Sequence, residues 1–262
     1  MLFRSSTHPF ALLILLFLCL AAFPHCLRAQ SPEGPQIPSP DTKIGTVHGQ
    51  VRLGYYALTH TYRYHGEYIA QVNFARVAQS PLYGFADVDV QSLEDSAHGK
   101  FVPDRLVGTF EVGVRRLLGV SHLSLLIRHQ SAHYIDRIDP NQGSWDMDAL
   151  RWQQDVGKTR VSATLGNYFH IHNLDSTYQI DGDLQGITSL GTVKHRPIEL
   201  RTDIHTVTGH GGGGAFTDYW IEPNMILSTQ TAFFVGYGQI HDTKLLRGNA
   251  DHPIITGFRL LF

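Results

Sequence analysis

The stretch from Leu125 to Asp136 carries the residues best suited to chemistry, in the order Leu-Leu-Ile-Arg-His-Gln-Ser-Ala-His-Tyr-Ile-Asp. If it is an extended strand, alternate side chains share a face, so His129, Ser131 and His133 project together. An imidazole beside a hydroxyl can act as the base for nucleophilic attack, with an acid orienting the imidazole. The spacing therefore predicts His129 as a base and Ser131 as a nucleophile.

The acid that would complete this pair has several candidates in the following segment. We take Asp136 as the third catalytic residue, and Asp139, Asp146 and Asp148 are the alternatives. The choice among them depends on how the next strand pairs, which spacing does not determine.

The neighbours of the pair allow two interpretations. In the first, Arg128 and His133 flank the site and bind the substrate. In the second, His129 and Ser131 are a structural pair at an outer rim, with Arg128 and Gln130 turned to the interior. In both, His129 and Ser131 share the apolar parity of the strand and face lipid.

Metal binding is the other chemistry that the sequence raises. His170 and His172 would place two imidazoles on one strand face, but the sequence shows no third ligand for a divalent metal. The aspartates after Ser131 could offer oxygen ligands to Ca²⁺, although the EF-hand spacing is absent. We expect no cofactor, with Ca²⁺ as the ion that these aspartates could hold.

Strands must position these residues, because two-residue alternation runs from Gly45 onward with little helical periodicity. The polar parity mixes Arg, Asp, Glu, His, Gln and Tyr, which is typical of a hydrogen-bonded interior. About twelve segments alternate, and bacterial barrels use even strand numbers. The predicted strands are 46–57, 67–77, 82–92, 105–116, 121–131, 146–155, 159–168, 177–187, 196–207, 217–228, 231–240 and 253–262.

The connections alternate between short and longer, with the segment 188–195 as an exception. Short periplasmic turns opposite longer outer loops are typical of a transmembrane antiparallel β-barrel, so we predict an all-β barrel of about 12 strands. A water-soluble lipocalin-like barrel or a β-sandwich is the alternative, since alternation does not separate lipid-facing from core-facing residues.

The last strand ends with outward-parity Phe258, Leu260 and Phe262. This ending resembles the closing strand of Gram-negative outer-membrane β-barrels. The resemblance implies that the terminal aromatic is part of a signal read by the barrel assembly machinery. It also implies the cell outer membrane as the location.

The N-terminus has the layout of a secretory signal, with Arg4 before an apolar run and a small residue, Ala29, before the expected cleavage site. We expect residues 1–29 to be a cleaved signal peptide, 30–44 a Pro-rich periplasmic lead-in and 45–262 the barrel. The two cysteines lie in the removed segment, so the mature barrel would carry no disulfide.

Composition excludes two classes of protein. A formal net charge of −2 gives no support for nucleic-acid binding. A mean hydropathy of −0.12 is too polar for a helical membrane protein, whereas a barrel with a polar lumen has such a value.

A second resemblance concerns the run Arg128-His129-Gln130-Ser131, which looks like the His-x-Ser motif of outer-membrane lipid A deacylases. These enzymes hydrolyse acyl esters of lipopolysaccharide, and the resemblance implies His129 as base and Ser131 as nucleophile. The run His-Gln-Ser-Ala-His is also similar to a His-Gln-Ser-Ser-His sequence of other outer-membrane barrels. The Asn that commonly follows the Ser in deacylases is Ala132 here.

These observations predict an outer-membrane barrel of structural or small-pore type. The alternative is an esterase that removes acyl chains from lipid A or phospholipid with His129 and Ser131. Expected partners are outer-membrane lipids, lipopolysaccharide and the barrel assembly machinery, with no nucleic acid, and we expect a monomer.

Overall fold

The computed structural model describes residues 44–45, 47–57, 62–76, 81–95, 103–134, 143–172, 178–209, 216–239 and 253–262. The expected signal peptide and nearly all of the lead-in lie outside these residues. No helix in the described part of the chain is long and apolar enough to cross a membrane.

The described residues form twelve β-strands. Their bounds are β1 (Val47–Tyr56), β2 (Tyr62–Arg76), β3 (Leu82–Asp95), β4 (Pro103–Leu118), β5 (Ser121–Tyr134), β6 (Gly143–Val156), β7 (Thr159–His172), β8 (Tyr178–Val193), β9 (Arg196–Gly209), β10 (Phe216–Ile226), β11 (Thr231–Gln239) and β12 (Ile254–Leu261).

Each strand pairs antiparallel with its neighbour in sequence, and β1 pairs with β12 to close the sheet. The closing register sets Gln50 opposite Leu261 and Tyr56 opposite Ile255. The predicted all-β antiparallel barrel of 12 strands is therefore confirmed. Closure leaves the twelve described strands without an unpaired sheet edge, which a wall in lipid requires because hydrocarbon offers backbone groups no hydrogen-bond partner.

The two surfaces of the wall have opposite polarity. Large apolar side chains such as Leu53, Phe110 and Leu125 are exposed on the outside, whereas charged residues such as Arg52 and Glu111 are buried inside. A water-soluble barrel or sandwich would place its apolar parity inward. The apolar outer wall therefore fits the predicted transmembrane barrel and not the water-soluble alternative.

One end of the barrel carries tight turns that match the predicted short connections. Gly119 and Gly157 adopt φ of 64° and 61° in two of them. The predicted exception at 188–195 disappears because β8 extends to Val193 and the turn is only Lys194–His195. Both turn residues have positive φ, 49° and 66°, as the tightest hairpin turns require.

An ion network fills the lumen beside the closing seam. Glu222 on β10 accepts hydrogen bonds from Arg52 on β1 and Arg259 on β12, each at 2.5 Å. Trp220 and Asn224 donate to the same carboxylate, both at 3.1 Å. A buried carboxylate with four donors has its desolvation offset by hydrogen bonds and opposite charge.

A second network spans β3 to β6. Glu111 Oε1 accepts from Arg128 Nε and from Arg151 Nη2, both at 2.6 Å, and Arg151 also lies 3.5 Å from Asp87. Nearer the outer end of the barrel, an apolar cluster lies against the inner side of these strands. It includes Trp145, Met147 and Tyr168. These contacts stiffen the strands whose outer faces carry His129 and its neighbours.

The C-terminal residue continues the closing strand. Phe262 exchanges backbone hydrogen bonds with Gly49, at 3.0 and 3.1 Å, and its ring stacks on Tyr68 at 5.9 Å. Phe258, Leu260 and Phe262 are all exposed on the outer wall. Their placement agrees with the predicted parity, while their role as an assembly signal stays a prediction.

Candidate active site on the outer wall

The outer face of β5 carries the predicted pair. Leu125 and Ile127 are exposed apolar residues on this face, and His129, Ser131 and His133 follow at the same parity. The His129 side chain is 48% exposed. The structure therefore places an imidazole and a hydroxyl two residues apart on the lipid-facing side, roughly 7 Å along the strand.

The inner face of β5 holds the residues between them. Arg128 is buried in the lumen and bonded to Glu111. Gln130 donates to Thr109 Oγ1 at 3.1 Å and accepts from Trp145 Nε1 at 2.6 Å. The assignment of Arg128 to substrate binding is therefore corrected, because its side chain lies on the opposite side of the wall from His129. Its position matches the alternative in which Arg128 and Gln130 turn inward.

Strand β6 brings an acid to the pair. Asp146 is the register partner of His129, and His129 Nδ1 lies 2.7 Å from Asp146 Oδ1. A hydrogen bond at this distance needs the Nδ1–H tautomer as the donor, which leaves Nε2 as an acceptor. Asp136 and Asp139 lie outside the described residues. Asp148 shares the outer face of β6 but pairs with Ile127.

Strand β7 adds a second imidazole to the same carboxylate. His170 Nδ1 lies 3.1 Å from Asp146 Oδ2, so the two carboxylate oxygens each face one imidazole. The position depends on a β-bulge, because Met147 pairs with Tyr168 whereas Asp146 pairs with His170, and Phe169 is the extra residue. Bulges of this kind re-aim side chains beside active sites.

The outward residues form cross-strand rows. One row contains Gly108, Ser131, Ser144 and His172 on β4 to β7. The row below it contains Phe110, His129, Asp146 and His170. Directly opposed side chains on one face have Cβ atoms about 5 Å apart. Polar groups from three strands therefore converge on an outer wall that is otherwise mainly apolar.

Space is left open beside the serine. A Cβ added to Gly108 would meet no atom closer than Ser131 Oγ, at 3.7 Å. The missing side chain leaves a gap on the β4 side of the hydroxyl. Below the gap, Phe110 is 48% exposed and offers an apolar surface.

The metal expectations find no support in the geometry. His170 and His172 do share a face, with their rings stacked at 6.4 Å and 14°. Within the described ranges, no group of three or more His, Cys, Asp or Glu is arranged to hold a metal ion. The Ca²⁺ expectation includes Asp136 and Asp139, which are not described, so it stays a prediction.

The lumen offers a second region of interest. Three adjoining cavities of about 190, 220 and 230 Å³ lie inside the barrel. Ile69 and Gln185 line all three, and charged groups including Arg52, Glu67 and Arg151 surround them. The interior is thus polar and partly filled by side chains.

Comparison with known proteins identifies the class of fold. No protein-family model matches the chain, and no curated protein matches it significantly. Among solved structures, an active-site mutant of outer membrane phospholipase A from Escherichia coli is similar with a TM-score of 0.61 and 10% identity, covering 86% of this chain and 94% of the other. The fold is therefore that of an outer-membrane β-barrel.

Two further structures share this fold. The calcium-bound dimer of the outer membrane phospholipase from Salmonella typhi gives a TM-score of 0.62 at 10% identity, covering 84% of this chain and 94% of the other. The KdgM porin gives 0.50 at 8% identity, covering 82% of this chain and 99% of the other. The same barrel architecture thus occurs in a phospholipase and in a porin.

Sequence reasoning identified His129 and Ser131 but not the residues that complete the arrangement. In the sequence, Asp146 is one of three alternatives to Asp136, and His170 stands out only as half of a His170–His172 pair that lacks a third metal ligand. The signal for Asp146 was its place at the start of a predicted strand next to β5. The contact of His170 with Asp146 had no sequence signal, because a one-residue bulge leaves the alternation of the segment ambiguous.

Proposed function

We propose that this protein is an outer-membrane ester hydrolase that removes acyl chains from lipid A or phospholipid. Ser131 is the nucleophile, His129 the general base and Asp146 the acid that orients the imidazole. The observation that carries the proposal is the 2.7 Å contact between His129 Nδ1 and Asp146 Oδ1 on the outer wall, beside Ser131. Asp146 replaces Asp136 in this role because the contact with His129 belongs to Asp146.

The arrangement suits acyl transfer through a covalent intermediate. Ser131 Oγ bonds to the ester carbonyl carbon while its proton passes to His129 Nε2, and the carbonyl π electrons move to oxygen. Collapse breaks the carbon–oxygen bond to the leaving alcohol, which takes the proton from His129. Water then attacks the acyl-serine with His129 as base, releasing the fatty acid and restoring the Ser131 hydroxyl.

Further residues support substrate binding and charge stabilisation. Ser144 lies directly across from Ser131 on the same face, so its hydroxyl is a candidate donor to the negative oxygen of the tetrahedral intermediate. Gly108 leaves space for the ester, and Phe110 and Ile127 offer the acyl chain an apolar path. His133, exposed at the outer end of β5, remains a proposed contact for the substrate head group.

The location of the site also supports a lipid substrate. The pair lies on a wall that includes exposed Leu125 and Ile127. Polar groups on such a lipid-facing surface cost free energy, so their presence there supports a functional role. A phospholipase among the similar barrels shows that this fold is compatible with lipid hydrolysis. At 10% identity that likeness concerns the fold, so the activity rests on the residues of this chain.

The test is hydrolysis by the purified, folded barrel in detergent. Wild type, Ser131→Ala and a matched outer-wall control, Ser92→Ala on β3, are incubated with phospholipid and with lipopolysaccharide, and the products are measured by mass spectrometry. We expect loss of an acyl mass for wild type and Ser92→Ala but not for Ser131→Ala. Unchanged lipids with wild type, or full activity of Ser131→Ala, contradict the proposal.

A structural or small-pore function is the second candidate. The observation that favours it is the set of adjoining polar cavities in the lumen, about 190 to 230 Å³ each. Single-channel recording in planar bilayers tests it. Current steps whose size changes with Glu111→Ala in the lumen but not with Ser131→Ala would support a pore. If the wild-type barrel gives no current steps, the pore function is contradicted.

We also propose the outer membrane as the location, with lipopolysaccharide and the assembly machinery as partners and the monomer as the working form. The exposed apolar wall and the exposed Phe258, Leu260 and Phe262 support this proposal. A folded barrel should migrate differently on a gel with and without boiling. Deleting Phe262 should reduce the heat-modifiable form in outer-membrane fractions, and unchanged levels would contradict the assembly role.

A further inference from the structure

We propose that His170 is a positioning residue that holds Asp146 in the orientation needed by His129. The inference rests on the proposed hydrolase function and extends it to a group beyond the three proposed catalytic residues. Its basis is the arrangement in which one carboxylate faces two imidazoles. Asp146 Oδ1 lies 2.7 Å from His129 Nδ1, and Asp146 Oδ2 lies 3.1 Å from His170 Nδ1.

The two contacts constrain Asp146 in a way that one contact does not. An aspartate side chain on the outer wall can rotate about its terminal torsion, which has a broad energy profile. A donor on each oxygen restrains that rotation and fixes the plane of the carboxylate. The imidazole of His129 is then kept in the tautomer and orientation that present Nε2 as an acceptor toward Ser131.

The local backbone is arranged to make this contact. If Phe169 were paired with Asp146 as a regular strand residue, His170 would share the inward parity of Tyr168, which is buried and bonds Asp181 at 2.5 Å inside the barrel. The bulge at Phe169 reverses the parity, so His170 and His172 both reach the outer wall. Tyr168 faces inward and His170 outward because Phe169 between them is left out of the strand pairing.

His172 supports the ring of His170. Their centroids are 6.4 Å apart with an interplanar angle of 14°. His172 pairs with Ser144, one row above the pairing of His170 with Asp146. The stacked ring restricts the His170 imidazole on one side, while the carboxylate binds it through Nδ1. Two histidines and a bulge thus serve the orientation of one acid.

The experiment compares three variants of the full barrel, each confirmed as folded by heat-modifiable migration. His170→Phe keeps a ring but removes the donor, and His170→Asn keeps an N–H donor near the position of Nδ1. His122→Phe, at the other end of β5 and on its inner face, is the control for the same substitution away from the site. We expect His170→Phe to lower kcat roughly 100-fold with KM within about two-fold, because misplacing a reacting group costs about this much.

Rescue separates positioning from packing. His170→Asn should recover at least roughly a tenth of the wild-type kcat, since one N–H donor suffices to hold Asp146. The rate of Ser131 labelling by a fluorophosphonate should follow the same order, because labelling also needs an oriented base. Equal losses for the Phe and Asn variants, or wild-type rates in His170→Phe, overturn the inference.

Ser131→Ala distinguishes the failure of this inference from that of the proposed function. If wild type hydrolyses ester and Ser131→Ala does not, while His170→Phe is fully active, only the role of His170 is wrong. If wild type neither hydrolyses lipid nor reacts with the fluorophosphonate at Ser131, the hydrolase function and the role of His170 both fail.

Discussion

At the scale of single residues, the outer wall is unusual in placing ionisable groups where lipid is expected. His129, Asp146 and His170 contact one another across three strands, whereas most large side chains on this surface are apolar. On a barrel's lipid face, Lys or Arg costs about 2–4 kcal/mol at the bilayer midplane and less near the interfaces, and Asp or Glu costs less than either. Mutual hydrogen bonds offset part of that cost, and this favours a site over a chance cluster.

The first residue-scale prediction concerns the carboxylate. Asp146→Ala removes the acceptor of both imidazoles and should lower kcat by roughly 10²–10⁴-fold, as loss of an orienting acid does. Asp146→Asn keeps the shape but loses the negative charge, and an amide that donates to His129 Nδ1 favours the wrong tautomer, so it should also lose up to about 10⁴-fold. Asp148→Ala, on the same strand and face, is the matched control and should stay within about two-fold of wild type. Steady-state hydrolysis of a short-chain ester measures all three, and an active Asp146→Ala variant would contradict the assignment.

The second residue-scale prediction concerns the gap beside Ser131. Gly108→Val fills the space where only Ser131 Oγ lies nearby, at 3.7 Å, so long-chain substrates should bind less well and KM should rise. Gly66→Val is a matched control, because its added Cβ would also meet a serine, Ser92, at 3.7 Å. Wild-type kinetics in Gly108→Val would show that the ester approaches from another side.

At the scale of elements, β5, β6 and β7 together act as a stiff platform. Trp145, Met147 and Tyr168 pack on the inner side of these strands, and Gln130 links β5 to Trp145 on β6 through a 2.6 Å hydrogen bond. Catalytic groups perform best when their supporting elements do not move. The apolar packing inside the wall therefore serves the polar groups outside it.

The element-scale prediction concerns the bulge in β7. Inserting an alanine after Phe169 should let Phe169 pair with Asp146 and move His170 to the position opposite Ser144, which should lower hydrolysis to the level of His170→Phe. Phe169→Leu keeps the residue count and therefore the bulge, and should retain activity. Hydrolysis rates with heat-modifiable migration as a folding check measure the effect. An active insertion variant would mean that the strand keeps His170 opposite Asp146 by shifting its register.

The sequence predicted the elements better than it predicted their partners. Alternation along Leu123, Leu125 and Ile127 was enough to place His129 and Ser131 on the outer face. The contact between Asp146 and His129 could not be predicted, because it depends on the register of β5 with β6, which arises from pairing between strands. Asp136 lies outside the described residues. The bulge at Phe169 could not be predicted either. One unpaired residue between Tyr168 and His170 changes which face the following side chains share, and no distinctive residue type marks its position.

At the scale of the whole molecule, charge inside the barrel complements the apolar wall outside. The Glu222 network ties β10 to β1 and β12, and the Glu111 network ties β3 through β6. These pairs lie where neither bulk water nor lipid competes with them. Removing one partner from such a pair leaves a buried charge uncompensated.

The whole-molecule prediction follows for Glu222→Gln, which should lower the free energy of unfolding by about 3–5 kcal/mol because Arg52 and Arg259 lose their shared counter-charge. Asp155→Asn is the comparison, since its pair with Arg160 is largely exposed and should contribute at most about 1 kcal/mol. Urea titration in detergent micelles measures both. Equal stability of wild type and Glu222→Gln would contradict a stabilising role.

The closing seam has a consequence for the order in which the barrel assembles. Arg52 and Arg259 are direct register partners across the β1–β12 seam, and like charges placed opposite each other repel. Glu67 on β2 lies 3.4 Å from Arg52, but the carboxylate that contacts both guanidinium groups is that of Glu222, which belongs to β10. The first and last strands therefore gain their full affinity for each other only after β10 has entered the sheet. We therefore expect the β1–β12 pairing to be weaker when Glu222 is replaced by an uncharged residue.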